Sequence, residues 1–116
     1  MSSLPISENE FQAALFQLAD LEGWIYFHPL KSANRDGKWR TATQGLVGFP
    51  DVVFAHPKKG YMFVELKSDG GRLTPEQKIW GATLKAAGAN YFVWRPKDQA
   101  DIDRILKYGP NKGQQK

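Results

Sequence analysis

The sequence predicts an α/β domain: a mixed sheet of four strands with helices packed on it, in the order α-β-β-β-α-β-α. Three observations carry this. Apolar residues recur at helical spacing near residues 11–22 and again before Gly88. Four short stretches rich in aromatic and β-branched residues lie around them. A strand–helix–strand step over residues 61–95 reads as a crossover unit, which should be right-handed. With 116 residues the chain has room for one core and one domain. That domain is expected over residues 1–108, with 109–116, GPNKGQQK, as a frayed tail.

The elements follow in order. Ser7 with Glu10 three residues on is a capping box, so a helix should follow, with Phe11, Leu15, Leu18 and Leu21 or Glu22 as its apolar stripe and Gly23 as its stop. WIYFHPL, residues 24–30, reads as a strand. Residues 31–48, KSANRDGKWRTATQGLVG, are polar, basic and dotted with glycine, and are expected to form a long loop. DVVFAH (51–56) and YMFVELK (61–67), joined by PKKG, read as an antiparallel hairpin. SDGGR (68–72) is a flexible link. Thr74 with Pro75 opens a helix that should run to about Ala87, and NYFVWR (90–95) forms the last strand. A short helix over 98–107 would present Ile102, Ile105 and Leu106.

Composition excludes several classes. The chain has no cysteine, so disulfides and cysteine-ligated zinc are ruled out. No apolar run reaches the length of a membrane span, and MSSLPISENE lacks the regions of a signal peptide, so a cytoplasmic location is expected. The net charge of +4 favours acidic partners, nucleic acid first. Lys31, Arg35, Lys38 and Arg40 fall within ten residues of one another, and with Arg72 they are the candidate DNA-binding cations. Trp39 among them could stack on an unpaired base or pack on its own domain.

The chemistry concentrates in GFPDVVFAHPKKGYMFVELKSD, residues 48–69. Glu65 and Lys67, two apart on a strand, share a face. The PKKG turn brings the start of the first hairpin strand, Asp51, beside the end of the second. Two carboxylates this close repel unless a cation joins them, and magnesium is suited to one or two carboxylates with water and phosphate completing its shell. Metal, acidic pair and lysine together are the equipment for phosphodiester hydrolysis. An isolated E-x-K on a strand is far more often a solvated surface pair, and Lys67 could simply bridge to Asp51 or Glu65.

GFPDVVF followed by FVELKSDGGRLTPEQ resembles the PD-(D/E)XK nuclease superfamily, and in detail the VRR-NUC family in its small stand-alone form from phages and bacteria. The resemblance runs from SENEFQAALFQLADLEGW to YFVWRP, nearly the whole chain. It implies a restriction-endonuclease-like core and a metal-dependent endonuclease hydrolysing DNA, with magnesium or manganese and no nucleotide cofactor. By this resemblance Asp51 and Glu65 are metal ligands, the Leu66 carbonyl completes the site, Lys67 is the catalytic lysine and Gln77 the helical glutamine. A likeness to Holliday junction resolvases implies branched DNA as substrate and a homodimer.

The first-helix site glutamate is Glu8 or Glu10. Glu8 lies in register with Phe11, Gln12 and Leu15, whereas Glu10 already has the capping role, so Glu8 is preferred. Glu8 could instead complement the helix dipole, and Gln77 in TPEQ could only cap its helix. His28 and His56 read as structural, and Trp24, Trp80 and Trp94 as core residues. The rivals are a non-catalytic nucleic-acid-binding module of the same fold and a nuclease for RNA or single strands.

Overall fold

The computed structural model describes residues 6–29, 32–33, 39–40 and 44–110. Helix α1 spans Glu8–Leu21. Both halves of its capping box are present: the Glu10 N–H donates to Ser7 Oγ at 3.1 Å and the Ser7 N–H to Glu10 Oε1 at 2.9 Å. It ends in a Schellman turn, with Gly23 at φ 85° and the Gly23 and Trp24 N–H groups donating to Asp20 and Ala19. Phe11, Leu15 and Ala19 form the buried face, whereas Leu21, expected on it, is 83% exposed. It stands two residues beyond Ala19, about 200° round the helix.

Strand β1, Ile25–Phe27, is shorter than the expected 24–30. Trp24 instead turns into the core, its Nε1–H donating to the Leu106 carbonyl at 2.8 Å. Pro29 has no N–H with which to continue a ladder. Two further strands, β2 (Ser32–Ala33) and β3 (Trp39–Arg40), pair antiparallel. The 31–48 stretch, expected to be loop throughout, therefore carries a small ribbon, and two-residue strands are too short to leave a periodic signal.

Strands β4 (Val52–His56) and β5 (Gly60–Leu66) form the hairpin, with Val52 opposite Val64 and His56 opposite Gly60. His56 Nδ1 accepts from the Lys58 and Lys59 N–H groups and so braces the PKKG turn. Helix α2 (Pro75–Ala86) crosses to β6 (Tyr91–Trp94), which pairs parallel with β5. A 3₁₀ turn, Pro96–Asp98, leads into α3 (Gln99–Tyr108). The main sheet has the order β1-β4-β5-β6 and is mixed, as expected.

Alternation along the strands makes two faces. Val52, Phe54, Met62, Val64, Leu66 and Trp94 form one core with Phe11, Leu15 and Ala19 of α1 and Ile102, Ile105 and Leu106 of α3. Glu65 and Tyr91 belong to the opposite face, under α2: Gly81 of that helix sits where any Cβ would come 2.6 Å from the Tyr91 ring. Trp80 is only half-buried, packing edge-on against Phe49. Gly109 and Pro110, assigned to a frayed tail from sequence, are buried, and a Cβ on Gly109 would stand 2.7 Å from the Lys59 carbonyl. Residues 111–116 lie outside the described residues.

Candidate functional site

The hairpin register brings the site together. Val52 pairs with Val64, so one step further sets Asp51 opposite Glu65 at the end of the sheet. Directly opposed residues hold their Cβ atoms about 5 Å apart on one face. Asp51 Oδ2 accepts the Leu66 N–H at 2.9 Å, which orients its carboxylate across the end of β5. Glu65 is 1% exposed. Its Oε2 accepts from Gln77 Nε2 at 2.8 Å, while Oε1 is buried with no hydrogen-bond partner.

Gln77 serves two structures at once. Its Oε1 accepts the Thr74 N–H at 2.8 Å and its own N–H donates to Thr74 Oγ1 at 3.1 Å, closing the capping box of α2. Its amide nitrogen is left for Glu65. Capping, one of the two sequence readings of Gln77, and contact with Glu65 coexist because a primary amide has an acceptor end and a donor end.

The electrostatics reflect this geometry. Burial and then the charge of Asp51 push the Glu65 carboxyl up to about 8, with Glu8 adding to the rise and Lys67 opposing it. Tyr91, beneath the site, is pushed up to about 12 by burial and by the charges of Glu65 and Asp51. A buried carboxyl with one oxygen unpartnered, facing a second carboxylate, is a costly arrangement for the protein alone. A cation bound between them would relieve both the repulsion and the missing partner, so this donor set fits a hard divalent ion. Among the described residues no three acidic or histidine side chains are grouped closely enough to hold an ion by themselves. Backbone oxygen or water would have to complete any coordination.

Lys67 is half-buried, and among the described residues the ion pairs are Lys59–Glu22 and Arg104–Asp101, so the surface bridge from Lys67 to a site carboxylate is not formed. Glu8 is exposed, yet its charge reaches Glu65. Glu10 is held in the capping box, whose backbone hydrogen bond lowers its carboxyl. Arg72 is exposed, and Arg40 lies on β3. Lys31, Arg35 and Lys38 lie outside the described residues.

Three supports were not legible as such in the sequence. Gly48, at φ 96°, lets the GFPD segment press on α2: a Cβ there would fall 2.8 Å from the Glu76 carbonyl carbon and 2.9 Å from the Gln77 nitrogen. Arg95 Nη1 donates to the Ser68 and Gly71 carbonyls, both at 2.7 Å, and so ties the glycine link that follows Lys67 to the end of β6. The His28 ring lies at hydrogen-bond distance from the backbone carbonyl of Asp51. Only the glycine carried a sequence signal, as the first residue of G-x-P-D.

The VRR-NUC domain family matches residues 30–98, more than half of the chain. The chain belongs to the VRR-NUC family, a nuclease domain of the PD-(D/E)XK superfamily. Two solved structures share the fold. One, a VRR_NUC domain, is 22% identical over 87% of this chain and 95% of its own, with a TM-score of 0.60. The other, a VRR_NUC domain protein, is 21% identical over 90% and 89% respectively, with a TM-score of 0.57. No curated protein matches the chain significantly. The family match begins after α1, so Glu8 falls outside it.

Proposed function

We propose that this protein is a metal-dependent endonuclease that hydrolyses DNA phosphodiester bonds and prefers branched DNA such as four-way junctions. The observation that carries the reading is the buried Glu65 carboxyl, with one oxygen unpartnered, set opposite Asp51 in a nuclease-family fold. Asp51, Glu65 and the Leu66 carbonyl would hold magnesium or manganese, with Glu8 acting directly or through water. The ion supplies a polarised phosphate and a bound water of lowered pKa.

The chain's own residues do the rest. Gln77 holds Glu65 by one oxygen, leaving the other for the ion. The Leu66 N–H holds Asp51 in the same way. Lys67, two residues along the same strand face, places a positive charge where negative charge gathers on the phosphate during attack. The basic residues 31–40 and Arg72 would bind phosphates without reading sequence. Preference for branched DNA, and a homodimer with two sites to cut a symmetric junction, rest on the resemblance to junction resolvases.

The test is cleavage of four-way, forked, linear and single-stranded DNA, and of RNA, across magnesium and manganese concentrations, by wild type, Asp51→Ala and Glu65→Ala. The reading expects cutting of branched DNA by wild type, a 5′-phosphate product, and loss of at least a hundredfold in either variant. Equal cutting by all three proteins would remove the proposed site. Binding without cutting in both metals would make the chain a binding module. Preference for RNA or single strands would reassign the substrate.

A further inference from the structure

His28 follows β1 directly, and its ring packs against Phe16 of α1, with centroids 5.6 Å apart. Its Nδ1 lies 2.8 Å from the carbonyl oxygen of Asp51. A carbonyl only accepts, so Nδ1 carries the proton and donates. The reason for a side chain here lies in the ladder. Phe27 pairs with Val53, so continuing the β1–β4 register would set Pro29 opposite Asp51. Proline has no N–H to offer. The backbone of β1 thus leaves Asp51 without a donor at this end, and the imidazole stands in its place.

The consequence concerns the carboxylate, not only the strand. Asp51 lies between two hydrogen bonds: its carbonyl is held from the β1 side by His28, and its Oδ2 from the β5 side by the Leu66 N–H. Fixing the peptide plane on one side limits the directions in which the side chain can leave on the other. We infer that His28 is a positioning residue that aims the Asp51 carboxylate across β5 by holding the Asp51 carbonyl. This rests on the reading of Asp51 as a metal ligand. Groups that orient a ligand in this way typically change metal affinity by about 10- to 100-fold when removed.

The test separates the two ring nitrogens. An asparagine amide nitrogen reaches the place of Nδ1, whereas a glutamine amide nitrogen reaches the place of Nε2. His28→Ala, His28→Asn and His28→Gln are compared by amide hydrogen exchange on the metal-free protein and by calorimetric titration with Mn²⁺. In His28→Ala and His28→Gln, the Leu66 N–H should exchange several-fold faster and Mn²⁺ should bind roughly tenfold more weakly. His28→Asn should return both close to wild type. The Lys67 N–H, which donates to the Trp94 carbonyl at 3.0 Å, should be unchanged throughout.

Wild-type Leu66 exchange and Mn²⁺ affinity in His28→Ala would overturn the inference. So would rescue by glutamine with failure of asparagine, or equal acceleration of Leu66 and Lys67, which would mean general loosening of the strand end. If the alanine variant does not fold, the asparagine–glutamine pair decides. If wild type binds no Mn²⁺, the metal site falls, while the exchange of Leu66 still judges His28.

Discussion

Glu65 is the residue on which the site's energetics turn. Its carboxyl is pushed up to about 8, first by burial and then by Asp51. In the unfolded chain it would titrate near 4.5, its ordinary value. Between those values the metal-free folded state holds a proton that the unfolded chain has released. Stability from this group is therefore full below about pH 4.5 and is lost as pH rises through about 8. Glu65→Gln keeps the shape without the titration. In EDTA, melting curves should show the variant gaining on wild type by roughly 10 °C or more between pH 5 and pH 8. Magnesium added at pH 8 should raise the wild-type melting temperature and leave the variant unmoved. Parallel wild-type and variant profiles would mean that Glu65 does not carry the cost assigned to it.

Gln77 offers a sharper comparison at the same scale. Gln77→Glu can still close the capping box, since glutamate serves there as well as glutamine. It cannot donate to Glu65 and instead sets a third carboxylate against the pair. Metal-free Gln77→Glu should melt lower than wild type at pH 8 and approach it near pH 5, where the added carboxylate and Glu65 can hold protons. Cleavage at saturating magnesium should fall roughly tenfold or more, by analogy with other groups that orient ligands. Gln77→Ala loses both roles, so its loss of stability should persist at pH 5, by about 1 kcal/mol for the one capping hydrogen bond it removes, from the Thr74 N–H. Matching pH profiles for the two variants would leave Gln77 with the cap as its whole purpose.

Between elements, the coupling runs from the GFPD segment to α2. Gly48 is in left-handed backbone and in contact with the first turn of α2, the turn that presents Gln77. A methyl group there would meet backbone atoms, which cannot swing aside as a side chain could. Gly48→Ala should destabilise the domain by about 1–3 kcal/mol from strain and overpacking. Cleavage should drop further than stability explains, because a displaced α2 carries Gln77 away from Glu65; urea denaturation and single-turnover cleavage on one preparation measure the two. At this scale most of the fold was legible: capping boxes at Ser7 and Thr74, stops at Gly23 and Gly88, and alternation along both hairpin strands all act locally. The ends of β1 were not, because Trp24 leaves the strand for a carbonyl 82 residues away. The hairpin also made the Asp51–Glu65 pairing legible, since register follows from the turn. The contacts of Gly48, His28 and Arg95 were hidden because each is made across the fold to a backbone atom, and backbone partners leave no pattern of residue types.

At the scale of the whole molecule, charge is the remaining link between sequence and substrate. The chain carries +4, and Lys31, Arg35, Lys38 and Arg40 account for four positive charges between β1 and the GFPD segment. A protein that neutralises DNA phosphates releases counterions, so its binding weakens with salt in proportion to the number of phosphates it neutralises. Replacing these four by glutamine takes the net charge from +4 to 0. Titration of a labelled four-way junction in EDTA, at a series of salt concentrations, should show weaker binding and a log–log slope shallower by about 0.9 for each phosphate no longer neutralised. The maximal cleavage rate at saturating DNA should stay within about twofold, because only uniform binding is weakened while Asp51, Glu65, Lys67 and Gln77 are untouched. A variant neutralising Lys107, Lys112 and Lys116 separates local effects from net charge, since it lowers the total by three without altering the segment before GFPD. If both variants shift the slope alike, the basic group acts only through the overall field; if neither does, it is a solvated connection and the DNA is held elsewhere.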